Sequence, residues 1–296
     1  MMEAPTTLGF VGVGVMGEGM CRNLLQKSGL KVHVVDINVE NVDRLVTAGA
    51  IGSSIQGLRQ SADTVFLSLP SIDQVEDVCF GDNPLISEGT SIRTIVDMST
   101  SDVPRTRALA QRLKERGVSF LDAPVARSRE AANKGTLLIT VGGPAPLFEK
   151  IEPLLRCMGS DVVRCGETGA GQVVKIMNNM VLLSTVNALA EAMSIAEASG
   201  VKKSMLAEVL QLGSADSFAL RLTGEKFLAR DEFPEKLFPA AYALKDMKLA
   251  LGLASASDIR PAVAEATAEI LARAVSGGYA ANYYPVIYRM IRRESP

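Results

Sequence analysis

Through the first 166 residues, short apolar and β-branched runs alternate with longer stretches in which apolar positions recur at a helical period. The runs predict strands at 8–11, 31–35, 64–69, 94–97, 119–122, 137–141 and 161–164. Helices are predicted between them near 15–27, 40–48, 73–79, 103–116 and 146–156. Alternation of this kind predicts a parallel sheet covered on both faces. After Gly171 the strand pattern stops. Residues 172–199 form one long Ala-, Leu-, Val- and Met-rich helical stretch ending at Gly200, followed by helical segments near 202–212, 217–228, 241–255, 261–276 and 284–292. Pro234, Pro239, Pro261 and Pro285 mark breaks or first turns among them. The expected architecture is an α/β N-terminal domain over 1–166 and an all-α C-terminal domain over 167–296. The glycines at 166, 169 and 171 loosen the junction.

A chain of 296 residues with 47% hydrophobic content has enough apolar material for two cores. Lys plus Arg total 31 against 33 Asp plus Glu, so the net charge is −2. That balance, without a basic run, argues against nucleic acid as a partner. Aromatics at 5% and no Trp argue equally against base-stacking platforms. The most apolar stretch, 176–190, is interrupted by Asn178, Asn179 and Asn187, so no membrane span is expected. The Gly-rich motif begins within a few residues of Met1, which leaves no room for a signal peptide. Four scattered cysteines without a CxxC pair suggest reduced thiols, a cytoplasmic location and no metal site.

The sequence Phe10-Val11-Gly12-Val13-Gly14-Val15-Met16-Gly17 follows the first strand and opens the first helix, which is a GxGxxG fingerprint in its proper setting. Gly12 permits a tight turn and Gly14 lets the backbone approach a pyrophosphate. Gly17 lets the helix pack close to the strand, with its N-terminus facing the anion. Asp36 ends the second strand 19 residues after Gly17. A carboxylate there can bond both ribose hydroxyls and repel a 2′-phosphate, and no Arg follows it. The expected cofactor is therefore NAD, preferred over NADP, on a Rossmann-type domain. His33, the single histidine, lies in the second strand and is read as structural.

Hydride transfer to a carbonyl needs a proton donor beside the oxygen. There is no Tyr-x-x-x-Lys pair and no zinc-type cysteine set. The candidate is Lys175 in Gly171-Gln172-Val173-Val174-Lys175-Ile176-Met177-Asn178-Asn179. Lys175, Asn178 and Asn179 stand at i, i+3 and i+4 and so share a helix face, where a polar substrate would be a fitting partner. A polar seam between domains would use the same residues.

From Gly9 to about Ala274 the chain resembles the β-hydroxyacid dehydrogenase family, typified by 3-hydroxyisobutyrate dehydrogenase and tartronate semialdehyde reductase and built like 6-phosphogluconate dehydrogenase. The resemblance rests on the glycine motif, Asp97-Met98-Ser99-Thr100, Asp122-Ala123-Pro124-Val125, Gly135-Thr136-Leu137, the Gly171 to Asn179 segment and Lys245-Asp246, all in order. It implies Lys175 as catalytic acid and base. It also implies Ser99, Asn178, Asn179 and Lys245 on the substrate, and Val15, Met16, Asp36, Leu69, Pro70, Thr100, Lys245 and Asp246 on the cofactor beside the three glycines. Homodimers or homotetramers are implied as well. Many members read Asp-x-Pro-Val-Ser-Gly-Gly, whereas this chain has Ala126, Arg127 and Ser128 after Val125. Arg followed by Ser resembles the sulfolactaldehyde reductase branch, near enzymes of succinic semialdehyde and 4-hydroxybutyrate. There Arg127 and Ser128 would grip the anionic end of the substrate. Two rival readings fit the sequence less well. An imine reductase generally carries Asp or Tyr where Lys175 stands, and a non-catalytic NAD-binding module would not need Lys175, Asn179 and Lys245 together.

Overall fold

The computed structural model describes residues 4–235 and 237–291. It divides into two compact units between Lys175 and Ile176. The division falls inside a helix whose first turn is pinned by residues of the sheet unit, as described below.

The first unit opens β1 (Thr7–Val11), α1 (Gly17–Ser28), β2 (Lys31–Val35), α2 (Val39–Val46), β3 (Ile51–Gly52), α3 (Ile55–Ser61), β4 (Thr64–Leu67), α4 (Ile72–Phe80), β5 (Thr94–Asp97), α5 (Val103–Glu115) and β6 (Ser119–Asp122). These six strands are parallel, in the order β3-β2-β1-β4-β5-β6. The chain then adds β7 (Val125–Ala126), α6 (Arg129–Lys134), β8 (Leu137–Gly142), α7 (Ala145–Arg156) and β9 (Gly159–Gly166). β8 runs antiparallel to β6 and β7 and parallel to β9, so the sheet is mixed rather than wholly parallel.

Side-chain alternation sorts the strand residues into two cores. Leu8, Phe10 and Phe66 join Met20 and Leu24 of α1 on one face. Val65, Leu67 and Ile95 join Leu58, Val75 and Leu109 of α3, α4 and α5 on the other. Burial on both faces explains why the central strands read as continuous apolar runs. Four short elements, β3, α3, β7 and α6, were not predicted. Two-residue strands carry no period, and the short helices are specified by caps: Ser54 accepts from the Gly57 N–H, and Ser128 accepts from the Ala131 N–H.

α8 (Ala170–Ala198) leaves the first unit at Lys175 and enters the second, which is helical. α9 (Lys203–Leu212), α10 (Ala240–Ser255) and α11 (Ala262–Ala274) follow. The segment predicted as a helix over 217–228 is instead a π-helical turn, Leu220–Gly224, and a 3₁₀ turn, Leu228–Arg230. The last predicted helix is a 3₁₀ turn, Tyr284–Ile287, and a short α12 (Tyr288–Ile291); residue 292 lies outside the described residues. An aromatic cluster explains the irregularity. Phe227, Tyr283, Tyr284 and Phe238 pack edge to face, and Thr223 Oγ1 lies 3.3 and 3.4 Å from the Tyr283 and Tyr284 hydroxyls. Among the described residues α8 is the one helix long and apolar enough to cross a bilayer by length and composition. Gln172, Asn179 and Asn187 are buried polar residues on it.

Candidate active site

The glycine turn between β1 and α1 is built as the spacing predicts. Gly12 has φ +88°, and a Cβ there would lie 2.3 Å from the Ser68 carbonyl oxygen. A Cβ on Gly17 would clash equally hard with the Gly12 carbonyl. Gly14 is exposed, and a Cβ on it would meet nothing within 4 Å, so its side of the turn is open to a ligand. Val15 is exposed, and Met16, which precedes α1, gives it no side-chain cap, leaving the helix N-terminus to an external acceptor. The half-buried Asp36 carboxylate accepts from the Val13 N–H at 2.7 Å and the Asn38 N–H at 2.8 Å. It therefore fastens the glycine turn to the end of β2 while presenting negative charge there. These features fit a dinucleotide. His33 is a β2 residue paired with Gly9 and Ile51, and burial together with Lys31 holds its imidazole below the usual range.

Beyond the glycine turn, the carboxyl ends of β4, β5 and β6 are tied to the start of α8. Asp97 and Asp122 are fully buried neighbours in the β5–β6 register. Asp97 accepts from the Ser99 N–H at 2.9 Å and the Ser101 hydroxyl at 3.2 Å. Burial outweighs these bonds and pushes its carboxyl up to about 6. Asp122 accepts from the Gly169 N–H at 2.7 Å and the Gln172 N–H at 2.9 Å, capping α8 from a strand 50 residues away. Burial pushes its carboxyl up as well, against those backbone donors. The Gln172 side chain donates to the Ser99 carbonyl at 2.8 Å and accepts from the Ser101 N–H at 2.9 Å. Ser99 Oγ accepts from the Leu69 N–H at 2.9 Å. Leu69, Ser99, Ser101 and Gln172 thus belong to one bonded assembly, with Thr100 between the two serines and Pro70 exposed beside Leu69. Lys175 is half-buried, three residues after Gln172 on α8.

In the second unit, Asn178 Nδ2 donates to Asn179 Oδ1 at 3.1 Å, and Asn179 Nδ2 donates to Asp246 Oδ2 at 2.6 Å. Asp246 is 3% exposed, and Lys245 Nζ lies 3.2 Å from its Oδ1. The two asparagines and the Lys245-Asp246 pair form one chain that fixes the Asn179 amide, with Asp246 as its orienter.

Arg127 and Ser128 are engaged elsewhere. The Arg127 guanidinium donates to the Thr136 carbonyl at 2.7 Å, Ser160 Oγ at 2.8 Å and Asp161 Oδ2 at 2.7 Å. Its backbone holds φ +86°, a left-handed conformation that favours glycine. Ser128 caps α6. The guanidinium is bonded to the Thr136 carbonyl just before β8, whereas the Gly171 carbonyl accepts from Thr140 within β8. The Arg127 side chain latches the loop after β7 to β9.

Sequence reasoning missed Gln172, Asp97 and Asp122 as organising groups. The available signals were two carboxylates closing adjacent strands, and an amide one turn before the lysine on an otherwise apolar helix.

Residues 7–166 match the NAD-binding domain of 6-phosphogluconate dehydrogenase, and residues 169–291 match the NAD-binding domain of NADP-dependent 3-hydroxyisobutyrate dehydrogenase. A 2-(hydroxymethyl)glutarate dehydrogenase of Eubacterium barkeri is 36% identical over 251 residues, 84% of this chain and 83% of that protein. A 2-hydroxy-3-oxopropionate reductase of Escherichia coli K12 is 35% identical over 252 residues, 84% of each. The solved structure of Mycobacterium tuberculosis 3-hydroxyisobutyrate dehydrogenase with L-serine superposes with a TM-score of 0.85 at 27% identity, covering 99% of this chain and all of that one. The fold, the nicotinamide-cofactor domain and these relatives agree: the chain belongs to the β-hydroxyacid dehydrogenase family, the group of 3-hydroxyisobutyrate dehydrogenase and its relatives.

Proposed function

We propose that this protein is an NAD-dependent oxidoreductase interconverting a small anionic β-hydroxy acid and its semialdehyde, with Lys175 as general acid and base. The observation that carries the reading is the placement of Lys175. It stands one turn beyond a helix start bonded to Ser99 and, through it, to Leu69, and it shares a helix face with Asn178 and Asn179. Bound NADH supplies the hydride that reduces the aldehyde carbon. The Lys175 ammonium polarises the carbonyl oxygen and donates its proton as the alcohol forms; in the oxidising direction the neutral amine takes that proton back. Asn179, held by Asp246, orients the substrate with Asn178, Ser99 and Lys245. Gly12, Gly14, Val15, Met16 and Gly17 would receive the pyrophosphate, while Leu69, Pro70 and Thr100 would complete the cofactor side of the first unit. Asp36 supports NAD over NADP, because its carboxylate repels a 2′-phosphate.

The substrate's anionic end is more consistent with a carboxylate than a sulfonate. Arg127, the residue suggesting a sulfonate, is bonded to Thr136, Ser160 and Asp161, and the Escherichia coli relative is named for a carboxylate semialdehyde. The half-exposed Val181 and Ile195 on α8 support a homo-oligomer. Four free cysteines support a cytoplasmic location. A panel of tartronate, succinic and methylmalonate semialdehydes, sulfolactaldehyde and glyceraldehyde, each with NADH and NADPH, tests the reading. The expected result is the highest kcat/KM for a carboxylate semialdehyde with NADH. Tight NADH binding with no turnover of any member would favour a non-catalytic NAD-binding module instead.

A further inference from the structure

We propose that Gln172 is a positioning residue for hydride transfer, setting the 99–101 loop in register with the turn of α8 that bears Lys175. The inference rests on the proposed role of Lys175.

Gln172 is fully buried and makes three bonds in three directions. Its N–H donates to Asp122, its Nε2 donates to the Ser99 carbonyl, and its Oε1 accepts from the Ser101 N–H. The last two engage the carbonyl and the N–H on either side of Thr100, as a neighbouring strand would. A planar amide can donate and accept at the same time in this way. Ser99 passes the constraint to the Leu69 N–H, and Ser101 passes it to Asp97. The assembly therefore joins the loops after β4, β5 and β6 to α8. Lys175 follows Gln172 at i+3 on the same face, so a small rotation of that turn displaces its ammonium relative to the Leu69 and Thr100 loops. A displacement of about 1 Å at a reacting centre can cost about a hundredfold in rate.

A side chain that merely filled the space would be replaceable by methionine, which has similar length and no amide. Gln172→Met is expected to lower the single-turnover hydride-transfer rate by about 10- to 100-fold. Independently of activity, it should speed hydrogen exchange at the Ser101 amide about fivefold, equivalent to the loss of a bond worth about 1 kcal/mol. Gln172→Glu provides the specific signature. Its protonated carboxyl can donate to Ser99 and accept from Ser101 as the amide does, whereas the carboxylate can only accept. Burial beside Asp97 and Asp122 favours the protonated form. The rate of Gln172→Glu relative to the unmodified enzyme is therefore expected to rise as pH falls from 8 to 6, while the relative rate of Gln172→Met stays flat. Either a Gln172→Met rate within threefold of the unmodified enzyme or a flat ratio for Gln172→Glu overturns the inference. Failure of both variants to fold assigns Gln172 to stability alone and also overturns it. Unimpaired turnover by Lys175→Ala removes the functional reading itself. An inactive Lys175→Ala beside unimpaired Gln172 variants removes only this inference.

Discussion

Two loops of the sheet unit solve the same backbone problem with different residues. After β1, the left-handed position is Gly12, and the nearby carboxylate of Asp36 bonds backbone within its own β-α-β unit. After β7, the left-handed position is Arg127, held by an ion pair to Asp161, 34 residues on. In the first loop the conformation is intrinsic to the residue and the open side is left to a ligand. In the second, the conformation costs about 1–2 kcal/mol and is offset by contacts of the side chain. A glycine thus declares its role in sequence, whereas an arginine in the same conformation declares only a charge.

Breaking the first loop gives the largest effect. Gly12→Ala combines a disfavoured φ with a Cβ 2.3 Å from the Ser68 carbonyl. It is expected to destabilise the protein by about 2–4 kcal/mol in urea unfolding. Gly14→Ala is the sharpening control: with nothing within 4 Å of its Cβ, its melting temperature should match the unmodified protein while NADH binding weakens about tenfold. Equal loss of stability in both variants would mean that Gly14 is not reserved for a ligand.

A smaller effect is expected at Asp36. Asp36→Asn keeps an acceptor for the Val13 N–H while removing the charge. The NADH-over-NADPH ratio of kcat/KM should narrow about tenfold, equivalent to about 1.4 kcal/mol. An unchanged ratio would leave Asp36 as a fastener of the turn only.

The smallest effect is expected at Arg127. Arg127→Ala and Arg127→Gly both lose the ion pair, but glycine also escapes the strain, so the glycine variant should be the more stable by about 1 kcal/mol. Neither is expected to change the ratio of kcat/KM for sulfolactaldehyde over glyceraldehyde by more than about threefold, the allowance for an exposed pair. A fall of tenfold or more in that ratio would return Arg127 to the anion site and bring the sulfonate reading back.

The same contrast explains what could be read before the fold was known. Gly12, Gly14, Gly17 and Asp36 obey a spacing rule within one β-α-β unit, and Lys175, Asn178 and Asn179 obey the helical period, so their grouping was legible. The roles of Gln172 and Asp246 were not, because their partners, Ser99 and Asn179, lie 73 and 67 residues away. The ion pair of Arg127 was not legible for a related reason. Its chemistry suits an anion, but Asp161 of β9 supplies one inside the chain. β7 was hidden by its length, and the antiparallel β8 by a pattern common to either strand direction.

The central claim, that Lys175 moves the proton, is tested most directly by single-turnover reduction of the best carboxylate semialdehyde by Lys175→Ala with bound NADH. The account predicts a rate about 10²–10⁴ lower than the unmodified enzyme, with the NADH dissociation constant changed by less than about threefold. A rate within threefold of the unmodified enzyme would contradict it.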